Sequence, residues 1–92
     1  MDKQLGIGTV VLSKCGRDKG RYFIVCRILD KDFVMIADGA MRKLNSPKKK
    51  KIKHITVTFD KLENIAKKLE EGKKVFDSEL KGALRVYNER QQ

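Results

Sequence analysis

The chain is poor in the residues that build metal and redox centres. Its 92 residues include two cysteines, Cys15 and Cys26, and one histidine, His54. These three side chains cannot supply the four ligands of a structural zinc site, so we expect no metal and no cofactor. Cys26 falls in an apolar run and is interpreted as a core residue, whereas Cys15 is interpreted as an incidental residue of a loop or strand end.

The sequence also lacks a long apolar run. No stretch has the length required for a signal peptide or a membrane span. The cytoplasm is therefore the expected compartment, and we expect no membrane partner.

Groups that perform catalysis are equally scarce. The three serines are scattered, the histidine stands alone, and no glycine-rich loop of the P-loop type is present. The paired acids Glu70 and Glu71 fall at the end of a predicted helix and are interpreted as solvated charge. We therefore do not expect an enzyme.

Acidic residues are rare in the first two-thirds of the chain. The 22 lysines and arginines exceed the 12 acids by a net charge of +10, and residues 1–59 alone, with 14 cations and 5 aspartates, carry +9 of it. An excess of this size, concentrated in one part of the chain, indicates an anionic partner.

What is present is a series of short apolar runs separated by turn residues. They predict five strands, at residues 9–13, 21–29, 33–37, 40–44 and from Ile52 to Phe59, with Asp38-Gly39 as a hairpin turn and Pro47 ending the fourth. The run Lys48 to Lys51 is interpreted as a solvated connection, and the polar tail Met1 to Gln4 as loose.

The second strand is apolar on both faces. Alternation places Tyr22, Ile24, Cys26 and Ile28 on one face and Phe23, Val25, Arg27 and Leu29 on the other. This pattern predicts a curved strand shared between the inside of a small barrel and a covering element. We therefore predict a mainly β fold, a five-stranded SH3-like barrel over residues 1–59.

Helical spacing replaces the strand period after residue 59. A helix is predicted at about residues 61–71, with Asp60 and Glu63 as a capping pair and Gly72 as its end. A second helix, capped by Asp77 or Ser78, follows. Their narrow apolar stripes predict that residues 60–92 pack on the barrel as one or two short helices within a single domain.

Two basic clusters are the candidate RNA-binding site. One surrounds Asp18 and contains Lys14, Arg17, Lys19 and Arg21; the other contains Arg42, Lys43, Lys48, Lys49, Lys50, Lys51 and Lys53 without an acid. The sequence does not determine whether the two loops lie together. Contact with phosphates is the favoured interpretation, against a merely solubilising lysine loop and a pairing of Arg17 or Arg21 with Asp18.

Several neighbouring residues have two interpretations. Gly16 and Gly20 are assigned mainly to loop geometry. His54 either contacts RNA or is an ordinary surface histidine, and Tyr22 and Phe23 either stack on unpaired bases or pack in the core.

The stretch from Gly8 to Asp30 resembles a KOW motif, in which an apolar strand, a loop with a fixed glycine and a second apolar strand follow one another. Gly20 matches that glycine. Further segments resemble the small KOW proteins related to the archaeal and eukaryotic large-subunit ribosomal protein fourteen, especially their compact bacterial RNA-binding relatives; these segments are residues 31–33, 37–39, 46–55 and 70–84. The likeness covers roughly Leu5 to Leu84, and the two-helix ending departs from the archaeal pattern.

The resemblance implies an SH3-like barrel that binds structured RNA, foremost ribosomal RNA of the large subunit, in contact with ribosomal proteins. We expect a monomer when free, and recognition of RNA shape and backbone rather than base sequence. The alternative is a KOW module of the transcription or translation machinery that docks on protein, which an exposed apolar patch would indicate.

Overall fold

The structure is a computed structural model and describes residues 4–89. It contains β1 (Thr9–Ser13), β2 (Tyr22–Ile28), β3 (Phe33–Ala37), β4 (Lys48–Lys51), a 3₁₀ turn (Ile52–His54), β5 (Ile55–Lys61), α1 (Glu63–Glu70) and α2 (Asp77–Glu89). The strands form one antiparallel sheet in the order β4-β3-β2-β1-β5. The predicted mainly β fold with two C-terminal helices is confirmed. Residues 1–3 of the predicted loose tail and residues 90–92 of the predicted helical part lie outside the described residues.

Each face of the sheet carries its own apolar cluster. On the face that we call the helix face, Val10, Ile24 and Ala37 pack against the helices through Ile65, Leu80 and Leu84. The opposite cluster, on what we call the inner face, consists of strand residues that are at most 4% exposed: Val11, Phe23, Val25, Val34, Ile36 and Ile55. Because these strand side chains bury one another, the sheet curls around them.

The curl is also visible in a contact that a flat sheet does not allow. Three neighbour steps of about 4.8 Å separate β4 from β1, roughly 14 Å in all. Nevertheless the Lys50 ammonium on β4 donates a hydrogen bond of 2.7 Å to the Cys15 carbonyl, two residues beyond β1. The β4 edge and the β1–β2 loop therefore approach each other over the inner face.

The register between β2 and β3 shifts at Cys26. Val25 lies opposite Ile36, whereas Arg27 lies opposite Met35. Directly opposite residues share a face of the sheet, so the shift moves Arg27 onto the helix face. The predicted alternation, which placed Arg27 on the same face as Val25, is wrong from this point onward because one extra residue enters β2.

The prediction of a fourth strand at residues 40–44 is wrong. The fourth strand is instead β4, the lysine run that was predicted to be a solvated connection. The buried Asp38 carboxylate accepts the amides of Ala40 (3.0 Å) and Arg42 (2.8 Å), which makes a turn instead of an extended strand. The Leu44 amide then donates to the Asp77 carboxylate at 2.7 Å. Because these amides are hydrogen-bonded to carboxylates, residues 40–44 do not form a strand. Pairing with β3 begins only at Lys48.

Asp60 does not cap α1 as predicted. The helix starts after Leu62, which makes no side-chain capping bond, and Asp60 belongs to β5. Its carboxylate instead accepts the hydroxyl of Tyr87 on α2 at 2.7 Å. Burial first, and then this negatively charged acceptor, raise the pKa of Tyr87 to about 12. Gly72 follows the end of α1 as predicted.

Two glycines have similar backbone angles but different surroundings, so substitutions at the two positions separate the effect of close packing from that of backbone conformation. Gly20 and Gly39 have φ of +89° and +79°. We expect Gly20→Ala to lower the free energy of unfolding by about 1–2 kcal/mol, which is the cost of a left-handed backbone conformation for alanine. No steric cost is added, since no atom lies within 4 Å of the added carbon. Gly39→Ala should cost at least about 3 kcal/mol, because the carbon would also meet the Asp77 carbonyl. Urea unfolding measures both, and equal losses would contradict the close packing of Gly39 on α2.

Candidate nucleic-acid interface

A buried carboxylate joins the two predicted basic clusters. Asp18, 2% exposed in the β1–β2 loop, accepts hydrogen bonds from the Ser13 hydroxyl (2.7 Å) and from the ammonium groups of Lys50 (3.0 Å) and Lys48 (3.1 Å). We call these four residues the Asp18 network. It brings the glycine loop and the lysine strand together, which the sequence left open.

The network keeps Asp18 ionised. Burial alone would raise the pKa of this carboxyl group, but hydrogen bonds from Ser13, Lys50 and Lys48, with the positive charge of Lys50, outweigh it and lower the pKa from 3.8 to about 2. The carboxylate thus neutralises charge where the chain is most basic.

Strand geometry divides the four consecutive lysines into two pairs. Lys48 and Lys50 lie opposite Ile36 and Val34 on the inner face, and Lys50 is 6% exposed. Lys49 and Lys51 lie opposite Met35 and Phe33 and are exposed on the helix face. The prediction that all four lysines are solvated is wrong for Lys50, and only Lys49 and Lys51 remain fully available to an external anion.

A second buried carboxylate engages Arg21. The Asp38 side chain, which is completely buried, accepts Nη2 and Nε of Arg21 at 3.0 Å and 3.3 Å. Arg21 is therefore paired, although with Asp38 instead of Asp18. This bond connects the end of the β1–β2 loop to the turn that displays Arg42 and Lys43, both exposed.

The remaining cations of the first cluster point to solvent. Lys14, Arg17 and Lys19 are exposed around the loop that Gly16 and Gly20 delimit. The loop is closed by the amide of Gly20, which donates to the Ser13 carbonyl at 2.9 Å. A carbon added at Gly16 would lie 3.6 Å from the Lys50 ammonium, so this glycine passes directly beside the Asp18 network.

The 3₁₀ turn continues the basic surface beyond β4. Lys53 is exposed, and the half-buried His54 lies in this turn, before β5 begins. Its carbonyl accepts the amide of Lys14 at 2.9 Å, which joins the turn to the glycine loop. Partial burial, followed by the positive charges of Lys53 and other nearby lysines, lowers the pKa of His54. The lowered pKa favours the neutral imidazole, so His54 adds little positive charge to the surface at pH 7.

The structure places the two aromatic candidates, Tyr22 and Phe23, in different environments. Phe23 is completely buried in the inner cluster, and the ring of Tyr22 packs on that of Tyr87, with centroids 5.4 Å apart. Phe33, which the sequence analysis did not select, lies instead among the cations, with the Lys49 ammonium 4.5 Å from its ring centroid. Phe33 is the first residue of β3 and lies opposite Lys51, a neighbour that the sequence analysis did not predict because it did not assign the lysine run to a strand.

Comparison of the chain with protein-family models and with curated proteins finds no match. Over residues 4–89, no helix is long and apolar enough to cross a membrane. The same residues contain no group of three or more histidine, cysteine or acidic side chains arranged to hold a metal ion.

The low pKa of Asp18 predicts an acid-sensitive contribution to stability. Because the folded-state pKa lies below the unfolded value, the contribution is complete above about pH 4 and is lost as the pH falls towards 2. It amounts to about 2 kcal/mol. We expect urea unfolding of the wild type to show this loss and Asp18→Asn to lack it. An equally steep loss in both proteins would contradict the prediction; Asp32→Asn, at an exposed aspartate, is the control.

Adjacent lysines of β4 should differ in their effect on folding. Lys50→Met removes a buried cation that bonds both Asp18 and the Cys15 carbonyl, and should destabilise the protein by about 3 kcal/mol. Lys49→Met, on the exposed side of the same strand, should change stability by no more than about 0.5 kcal/mol. Thermal or urea unfolding measures the difference, and comparable losses would show that Lys50 does not act as a buried partner.

Proposed function

We propose that this protein binds structured RNA through the basic face formed by the β1–β2 loop, β4 and the 3₁₀ turn. The observation that carries the proposal is the Asp18 network, which holds two basic segments together while leaving most of their cations exposed. These exposed cations are Lys14, Arg17, Lys19, Lys49, Lys51 and Lys53. Such a surface suits the phosphates of a folded RNA, whose backbone approaches from several directions.

The fold that we propose for this function is an SH3-like barrel of the KOW type. Two observations support it. β1 pairs with both β2 and β5, and the buried residues of the inner cluster, as far as residues 4–89 show, all come from strands. The KOW-like stretch from Gly8 to Asp30 supplies β1, the glycine loop and β2. The same resemblance is the support for ribosomal RNA of the large subunit as the natural ligand.

Docking on protein has weaker support than RNA binding. The most exposed large apolar side chains, Met41, Phe59, Phe76 and Val86, belong to four different segments: the β3–β4 connection, β5, the α1–α2 loop and α2. The exposed cations, in contrast, belong to segments that are bonded to one another. We therefore favour an anionic partner over an apolar one.

Salt dependence of binding tests the proposal. We expect the wild type to bind a fluorescently labelled RNA hairpin with an affinity that falls steeply as KCl rises. The double variant Lys49→Gln and Lys51→Gln should bind more weakly and show a logarithmic salt slope reduced by roughly 1.5, since each lost phosphate contact removes about 0.7–0.9. Fluorescence anisotropy across a salt series measures both quantities.

The control variant loses the same number of positive charges at a different part of the surface. Lys67→Gln with Lys81→Gln removes two exposed lysines from α1 and α2. This variant should retain the wild-type slope. Equal slopes for the two double variants would mean that net charge, and not this face, determines binding, and failure of the wild type to bind the hairpin would refute the proposal.

A further inference from the structure

Beyond the part covered by the helices, the helix face continues as an apolar strip bordered by cations. The register shift in β2 places Arg27 opposite Met35, and Met35 lies opposite Lys49, so the three side chains form a row across three strands. Phe33, two residues before Met35, lies opposite Lys51. We call Arg27, Phe33, Met35, Lys49 and Lys51 the Phe33 platform.

Phe33 is partly accessible, and its backbone is held by hydrogen bonds. Both Phe33 and Met35 are half-buried, whereas the three cations are exposed. The Phe33 amide donates to the Asp30 carboxylate at 2.9 Å, and its carbonyl accepts the Leu29 amide at 3.0 Å. These bonds fix the backbone of Phe33 at the end of the β2–β3 hairpin, so a ligand need not order the main chain at this position.

The charges around the ring suit both parts of a nucleotide. Lys51 and Lys49 have their ammonium groups 6.0 Å and 4.5 Å from the ring centroid. The groove that contains Phe33 and Lys51 is also lined by Lys31, Lys53 and Asp32. The lysines favour phosphates at the border of the ring. Asp32 supplies an acceptor for the amino groups of a base.

We propose that the Phe33 platform binds an unpaired nucleobase of the RNA, stacked on the Phe33 ring, while Arg27, Lys49 and Lys51 hold the neighbouring phosphates. This inference rests on the proposed RNA binding and adds a preference for single-stranded segments next to a helix. The Lys49 ammonium over the ring is no obstacle, because an exposed cation–π contact is weaker than a base–aromatic stack and the flexible side chain moves to a phosphate.

Two RNAs test the proposal: a blunt duplex, and the same duplex with a single-stranded extension that contains a fluorescent adenine analogue. The wild type should bind the extended RNA more tightly. Phe33→Leu should raise the Kd for the extended RNA about tenfold, within the range that one base–aromatic stack supplies, and leave the Kd for the blunt duplex unchanged. Phe33→Tyr, which keeps the ring, should restore tight binding.

A second phenylalanine provides a matched control. Phe76, in the α1–α2 loop, is exposed and also has a lysine over its ring, with the Lys74 ammonium 5.6 Å from the centroid. Phe76→Leu should change neither Kd. The fluorescence of the adenine analogue gives a readout in the unmodified protein, since stacking should alter it when the wild type binds.

The outcomes separate the platform from the proposed function. If the wild type binds both RNAs equally, or Phe33→Leu weakens both to the same extent, or the fluorescence does not change on binding, the platform is overturned while RNA binding stands. If the wild type binds neither RNA, the proposed function fails and the platform with it. Thermal unfolding of Phe33→Leu verifies that a weakened Kd does not come from loss of the fold.

Discussion

The basic face of this protein depends on one buried negative charge. Asp18 accepts a hydroxyl and two ammonium groups, and through them holds the β1–β2 loop against β4, an edge strand made entirely of lysines. Four consecutive like charges have little intrinsic tendency to form a strand beside one another. Pairing with β3 supplies the backbone bonds, and the carboxylate removes the repulsion on the inner side. Without it, the cations of Lys48 and Lys50 would lie side by side on the inner face of β4 with no opposite charge between them.

Burial of Asp18 and Asp38 also determines which cations an external anion can reach. Lys48, Lys50 and Arg21 are engaged from inside, so the charges that remain free are those of the loops and of the outward side of β4. A count of lysines and arginines overestimates the available charge for this reason.

Local signals predicted much of the sheet but little of its chemistry. The strands Thr9–Ser13 and Phe33–Ala37 were predicted at their observed bounds, because apolar residues flanked by glycine or aspartate turns specify them locally. The strand at Lys48–Lys51 was missed, since its partner Asp18 lies some thirty residues earlier and its amides pair only once Asp38 has drawn residues 40–42 into a turn. The face of Arg27 was predicted wrongly because the extra residue in β2 carries no sequence signature that separates it from regular alternation. Phe33 was not selected because the lysines beside it belong to β4, the strand that was missed.

The side chain of Asn88 on α2 forms hydrogen bonds with the backbone of the first residue of β2. Its amide oxygen accepts the backbone N–H of Tyr22 at 2.7 Å, and its amide nitrogen donates to the carbonyl of the same residue at 3.2 Å, so that it pairs with β2 as a strand neighbour would. These two bonds span 66 positions of the chain. During synthesis, these two hydrogen bonds of β2 therefore form only after almost all of the described polypeptide has emerged from the ribosome.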